Sequence, residues 1–272
     1  MYNQETVITS YLLNVTNLAT MTDYYHHHLG LDILEKASKQ VILGLAGRPL
    51  LILKEQVGQT RQQVAGLYHT AFLVPDQASL GGILRHLLVT NTPLLGGADH
   101  GYSQALYLQD PEDNGIEIYW DKPLSNWDVR ANGQIIGVTE ELDGTRLLEL
   151  ADNRTGLPSN TKLGHIHLQV ANLKANRTFY QHNLGFELKS SMKQADFLAY
   201  GLYHHHLAAN TWTRRAKLTI RSRNQLGLGT YALTVPNLDL VKEQLDVNNY
   251  PYRNLATKLA LTDPNGIELI IS

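Results

Sequence analysis

The sequence predicts an α+β protein built from four copies of one strand–helix–strand–strand–strand (βαβββ) module. Three internal matches carry this. LLNVTNLATMTDYYHHHLGLDI, from Leu12, matches HLQVANLKANRTFYQHNLGFEL, from His167; Val15 and Val170, Leu18 and Leu173, Tyr25 and Tyr180, Gly30 and Gly185 all lie 155 residues apart. GLYHTAFLVP (66–75) matches GLGTYALTVP (227–236), and LQDPEDNGIEIYW (108–120) matches LTDPNGIELIIS (261–272), which sets Glu117 against Glu268. Self-similarity at a fixed spacing marks one supersecondary unit used repeatedly.

Within a module the elements follow in order. An alternating apolar run gives the first strand. An asparagine-containing turn then opens a helix, and a glycine closes it before the next strand. Asp-Pro and Asn-Gly mark the turn between the last two strands. The modules fall near 5–56 and 64–121, forming a domain over 1–121, and near 162–213 and 227–272, forming a domain over 162–272. Residues 122–161 form a linker, in which EELDGTRLLELA (140–151) has the amphipathic pattern of a helix. A connection of this length is expected to cross from one half to the other.

With 272 residues, 43% apolar and 18% charged, the chain has the composition of a soluble globular protein. A net charge of −2 argues against nucleic acid or an anionic membrane as partner. The absence of cysteine rules out a disulfide scaffold, thiolate metal ligation and thiol catalysis, and suits a reducing compartment. The N-terminal MYNQETVITSYLL lacks the pattern of an export signal, and no run approaches the ~18 apolar residues of a membrane span. A cytoplasmic location is the expectation. The outlying count is histidine, of which there are 12.

The repeat supplies its own control. On the first strands, module 3 has His165 where module 1 has Ser10, and module 2 has His69 where module 4 has Thr230. Module 3 carries His204, His205 and His206 where module 1 carries Pro49, Leu50 and Leu51. Tyr107 stands ten residues before Glu117, and Lys258 stands ten before Glu268. His100, in the loop GGADHGYS, has no counterpart in the shorter module 4. Histidines used as filler would not sort this way. The expectation is one composite site from modules 2 and 3, with modules 1 and 4 as its structural counterpart. His26, His27 and His28 match Gln181, His182 and Asn183 and read as ordinary polar residues at a helix end.

GHIHLQV…FY…LGFEL, YHHHLAANTW, GLYHTAFLVP and ALYLQDPEDNGIEIYW together resemble the vicinal oxygen chelate superfamily, which includes glyoxalase I, extradiol dioxygenases and bleomycin-resistance proteins. The likeness is greatest to the two-domain catechol 2,3-dioxygenase-like branch of Gram-positive bacteria. It implies that the four modules pair into two cupped mixed β-sheets and that paired modules enclose a divalent metal. It implies His69, Glu117 and His165 as metal ligands, His205 as the proton-handling residue, Tyr107 as the active-site tyrosine and His100 as its companion. Because the His/Glu module here precedes the His-first module across the linker, the site is complete only if modules 2 and 3 share a cup.

Two histidines and one carboxylate leave open positions on a metal, the arrangement of non-haem Fe(II) oxygenases. The implied activity is O₂-dependent extradiol cleavage of a catechol-like or hydroquinone-like aromatic. Fe(II) is the leading cofactor, with Mn(II), Zn(II) or Ni(II) as the other ions, and a homodimer is compatible with the reading. Tyr107 would hydrogen-bond a substrate oxygen and His205 would act as general acid. Strand alternation predicts that His205 points away from His204 and His206, which then read as flanking residues. It also puts His165 and His167 on one face, so His167 either supports the ligands or is itself the ligand. Trp120 and Trp212 either line the cavity or pack. Two other functions use this scaffold: a glyoxalase-like isomerase or lyase, which commonly presents two glutamates, and a metal-free protein that binds aromatic drugs. The first has no obvious task for Tyr107 and His205, and the second would not need the three metal ligands.

Overall fold

The computed structural model describes residues 6–212 and 218–272, so the outer limits of modules 1 and 3, residues 5 and 213, lie outside the described residues. Module 1 comprises β1 (Val7–Val15), α1 (Leu18–Asp23), β2 (Asp32–Lys36), β3 (Gln40–Leu45) and β4 (Arg48–Glu55). Module 2 comprises β5 (Gly66–Leu73), α2 (Gln77–Val89), β6 (Gly96–Asp99), β7 (Ser103–Gln109) and β8 (Gly115–Asp121). The connection 122–161 holds β9 (Asp128–Val129), β10 (Ile135–Ile136), β11 (Glu140–Glu141) and α3 (Gly144–Glu149). Module 3 comprises β12 (Lys162–Gln169), α4 (Leu173–His182), β13 (Glu187–Met192), β14 (Ala195–Ala199) and β15 (Leu207–Asn210). Module 4 comprises β16 (Gly227–Thr234), α5 (Leu238–Val247), β17 (Tyr252–Leu255), β18 (Lys258–Thr262) and β19 (Glu268–Ile271).

Local chemistry explains the repeated elements. Asn17, Asp76, Asn172 and Asn237 each accept a backbone N–H of the first turn of α1, α2, α4 and α5. Such a cap contributes about 1 kcal/mol. Gly30 and Gly185 follow the helices of modules 1 and 3 with φ of 75° and 73°, a backbone that favours glycine. The helix expected over 140–151 is confined to Gly144–Glu149, because Asp143 caps it at Arg146 N and Glu140–Glu141 pair with β6 instead.

The modules pair across the chain. β5 of module 2 runs antiparallel to β12 of module 3, which gives the strand order β6-β7-β8-β5-β12-β15-β14-β13. β1 of module 1 runs antiparallel to β16 of module 4, which gives β2-β3-β4-β1-β16-β19-β18-β17. The Ile8–Leu163 pairing joins the two sheets. Each sheet therefore takes one module from either side of the 122–161 connection.

The helices and the inner sheet faces share one core. Tyr11 of β1 meets Phe72 of β5 edge to face at 6.4 Å, one ring from each sheet. Full burial of a ring of this size contributes roughly 2–3 kcal/mol. Two equivalent locks tie neighbouring modules. Tyr25 donates to the buried Asp110 Oδ2 at 2.9 Å, and Tyr180 donates to the buried Asp263 Oδ2 at 3.2 Å. The matched tyrosines and the Asp-Pro turns of the sequence are thus one device used twice. Among the described residues no helix is long and apolar enough to cross a membrane.

Candidate active site

Strand register sets the site in the sheet of modules 2 and 3. Glu117 on β8 lies opposite Tyr107 on β7 and beside Ala71 on β5, and Ala71 faces His165 on β12. His69, two residues before Ala71 on the same face, lies opposite His167. The alternate positions Phe72, Ile116, Ile118, Ile166 and Leu168 fill the core, so this row looks into the concave side. Ala71 presents only a methyl group between Glu117 and His165, which leaves room for their side chains to converge.

His69, Glu117 and His165 come together at the floor. His69 Nε2 is 2.9 Å from Glu117 Oε2, His165 Nε2 is 3.2 Å from the same oxygen, and the two Nε2 atoms are 3.3 Å apart. All three residues are buried. Donors about 2.0–2.2 Å from one ion, at angles of about 90–110°, lie roughly 2.8–3.6 Å apart. The triangle therefore fits a single divalent cation, which would satisfy three converging lone-pair donors at once. His167 is not part of it: its Nε2 accepts from Asn210 Nδ2 at 3.0 Å. His165 Nδ1 has no partner among the described residues, and the ring is held by Tyr119 and His205 at 5.0 and 4.1 Å between centroids. Burial alone would raise Glu117, but the charges and hydrogen bonds of His165 and His69 outweigh it and hold the carboxyl well below the usual range. Burial pushes His165 down to about 4, against the pull of Glu117. Both shifts favour the ligand forms, carboxylate and neutral imidazole.

Tyr107 and His100 form the second group. His100 Nδ1 is 2.9 Å from the Val138 carbonyl, which can only accept, so Nδ1 carries the proton. His100 Nε2 then accepts, and Tyr107 donates its hydroxyl proton across 2.6 Å. Burial, with the charge of Glu117 adding to it, pushes the Tyr107 phenol far up, so it keeps this proton. Its oxygen lone pairs remain to receive a hydrogen bond from a ligand.

His205 and His204 both line the same cavity, with their Nδ1 atoms 2.7 Å apart. This corrects the expectation that alternation turns them apart. β15 starts only at Leu207, so residues 204–206 are not a strand and period two does not apply. His204 Nε2 donates to Asp121 Oδ1 at 2.8 Å. Burial first, then the charges of His165 and His204, hold His205 well below the usual histidine range. Sequence reasoning misses Asp121, although its place on the Glu117–Tyr119–Asp121 alternation is a usable signal. It also sets His204 aside as a flanking residue.

The cavity over these groups is about 610 Å³. Tyr68, Tyr102, Phe197 and Trp212 supply aromatic wall, and Ile135–Thr139 of the 122–161 connection forms part of it. The connection is fastened there by the His100–Val138 bonds and by β11 against β6. Trp212 lines the cavity, whereas Trp120 packs on the core, as its parity with Ile116 and Ile118 requires. His26, His27 and His28 lie elsewhere, in a π-helical turn that continues α1.

Module 4 corrects another pairing. Asp110 N bonds Asn114 O and Asp263 N bonds Ile267 O, so the two turns have the same length. The stretch from aspartate to glutamate is two residues shorter in module 4. The strand slips accordingly: Glu268 lies opposite Thr262 and Thr230, in the place that Gly115 takes opposite His69. Glu268 keeps the face of Glu117 but sits one pleat away. Lys258 is then not the counterpart of Tyr107; Ala260, three residues before Asp263 as Tyr107 is before Asp110, takes that place.

Comparison with known proteins agrees with this architecture. Residues 7–118 match the family model of the Glyoxalase/Bleomycin resistance protein/Dioxygenase superfamily. The chain is 35% identical to a catechol-2,3-dioxygenase of Bacillus subtilis (strain 168), over 96% of this chain and 95% of that protein. Among solved structures, one from Bacillus subtilis subsp. subtilis aligns with a TM-score of 0.64 at 13% identity, over 97% of this chain and 84% of the other. Glyoxalase I from Zea mays aligns with a TM-score of 0.58 at 14% identity, over 98% of this chain and 92% of the other.

Proposed function

Because the chain belongs to the glyoxalase/bleomycin resistance protein/dioxygenase superfamily, we propose that it is an extradiol dioxygenase that opens a catechol-like or hydroquinone-like ring with O₂. The observation that carries this is the His69–Glu117–His165 triangle beneath a cavity edged by Tyr107 and His205. The relative named catechol-2,3-dioxygenase, similar along nearly its full length, supports the reaction class. The donor set of two imidazoles, one carboxylate and no thiolate supports Fe(II), ahead of Mn(II), Zn(II) and Ni(II). Ferrous iron held there would supply open coordination positions and a path for electron density from the aromatic ring to O₂.

The chain's own residues do the remaining work. Tyr107, its proton committed to His100, offers its oxygen to a substrate O–H. The aromatic wall holds a flat ring and excludes water. His205 makes no hydrogen bond through Nε2 among the described residues, so that nitrogen is the one available to take up and return a proton. A cytoplasmic setting fits the absence of cysteine.

Anaerobic purification, metal analysis, reconstitution with Fe(II) and addition of catechol and O₂ test the proposal. The expected outcome is iron near one per chain, O₂ uptake and a yellow ring-opened product, all lost in His165→Ala and Glu117→Ala. Zn or Ni without O₂ uptake on several catechols would move the assignment to an isomerase or lyase.

A further inference from the structure

We infer that Asp121 and His204 are positioning residues that lock His205 into one tautomer, with Nδ1–H turned to His204 and the Nε2 lone pair free for the substrate. The inference rests on the dioxygenase reading for what His205 does, but not for how it is held.

The relay starts at Asp121. A carboxylate can only accept, so the 2.8 Å contact between Asp121 Oδ1 and His204 Nε2 places a proton on that nitrogen. With that as its one proton, His204 has its lone pair on Nδ1. The 2.7 Å contact between His204 Nδ1 and His205 Nδ1 needs one proton, and His205 must supply it. His205 Nε2 is left as a proton acceptor. Without Asp121 nothing in this chain of bonds would choose between the two tautomers.

Several contacts keep the relay rigid. Tyr203 donates to the second Asp121 oxygen at 2.9 Å. The His204 ring stacks on Tyr102 at 4.4 Å and 15°, with Tyr203 at 4.2 Å. The side chains of His204 and Asp121 are 1% and 7% exposed, so water does not compete for these bonds. Asp121 ends β8 of module 2, and His204 and His205 belong to module 3. The relay therefore forms only because these modules share a sheet. A histidine in the other tautomer would present N–H to the cavity and could not accept a substrate proton.

Asp121→Asn is the informative variant. Its amide keeps the shape of Asp121 but presents either an acceptor or a donor to His204, which removes the bias. Histidine ¹⁵N NMR on the Zn(II)-loaded protein, with His205 assigned by its loss in His205→Gln, reads the tautomer without any turnover. Nδ1–H on His205 in the native protein and a mixture in Asp121→Asn are expected. In the Fe(II)-loaded enzyme the same variant should lower kcat by on the order of 10²-fold, with the anaerobic catechol Kd unchanged. Nε2–H on His205 in the native protein, or an unchanged tautomer in Asp121→Asn, overturns the inference. So does a changed tautomer with unchanged kcat. If Asp121→Asn fails to fold, the native tautomer decides alone. If the native enzyme takes up no O₂, the dioxygenase reading falls and the NMR result still decides how His205 is held.

Discussion

The two cups of this protein differ in where their positive charge comes from. In the cup of modules 2 and 3, Glu117 meets only imidazoles, and the three donors converge on a point that calls for a cation. In the cup of modules 1 and 4, Glu268 meets Arg253 at 2.6 Å and Arg223 at 3.6 Å, and Thr230 stands where His69 would be. A cavity of about 580 Å³ on the module 4 side, which includes Glu268, is lined by Arg221, Arg223 and Arg253. One cup offers three donors that could hold a cation, and the other carries guanidinium as its own. Histidine in place of threonine and serine is not the whole difference. The two-residue slip of β19 also moves Glu268 out of reach of the position from which Glu117 works.

The largest effect that would test this contrast is on metal content. Glu117→Ala should abolish stoichiometric metal binding, measured by metal analysis after dialysis, whereas Glu268→Ala should leave the metal content as it is. Equal loss in both variants would break the distinction between the cups.

A smaller effect concerns pH. Burial, with the charge of His204 adding to it, pushes His206 down to about 3 from its ordinary value of 6.5. Below pH 6.5 the unfolded chain binds a proton there that the folded protein refuses, so stability falls as pH drops from about 6.5 toward 3. Between pH 7 and pH 5 this one group costs on the order of 2 kcal/mol. His206→Gln should flatten that fall in melting temperature. An unchanged slope would mean that His206 does not carry the acid sensitivity.

The smallest effect belongs to the second cup. Arg253 is 60% exposed, and solvent screens its pair with Glu268. Arg253→Met should change stability by only ~0–1 kcal/mol in denaturant unfolding. A much larger loss would show that this ion pair organises its cup as the triangle organises the other.

Much of this was legible in the sequence because it is local. Alternation, caps, turn chemistry and the 155-residue match describe four modules, and the sorting of histidines between copies points to modules 2 and 3. Alternation along β5, β8 and β12 even puts His69, Glu117 and His165 on definite faces. It failed at His204 and His205, where there is no strand for it to describe. Counting back ten residues failed at Lys258, because turn geometry rather than residue count sets the register of the following strand.

What the sequence by itself determined is thus the module, its number of copies, and which copies carry the clustered histidines. The sorting of histidines pointed to modules 2 and 3 sharing a cup; only the tertiary structure decided that they do so by pairing β5 with β12, with β1 pairing β16, that the 122–161 connection walls the cavity, and that Asp121 reaches His204 from another module. The physical reason is range. Periodicity and capping act within a few residues of one another. The choice of partner strand depends on how apolar faces distant in the chain bury together, and no local pattern encodes that choice.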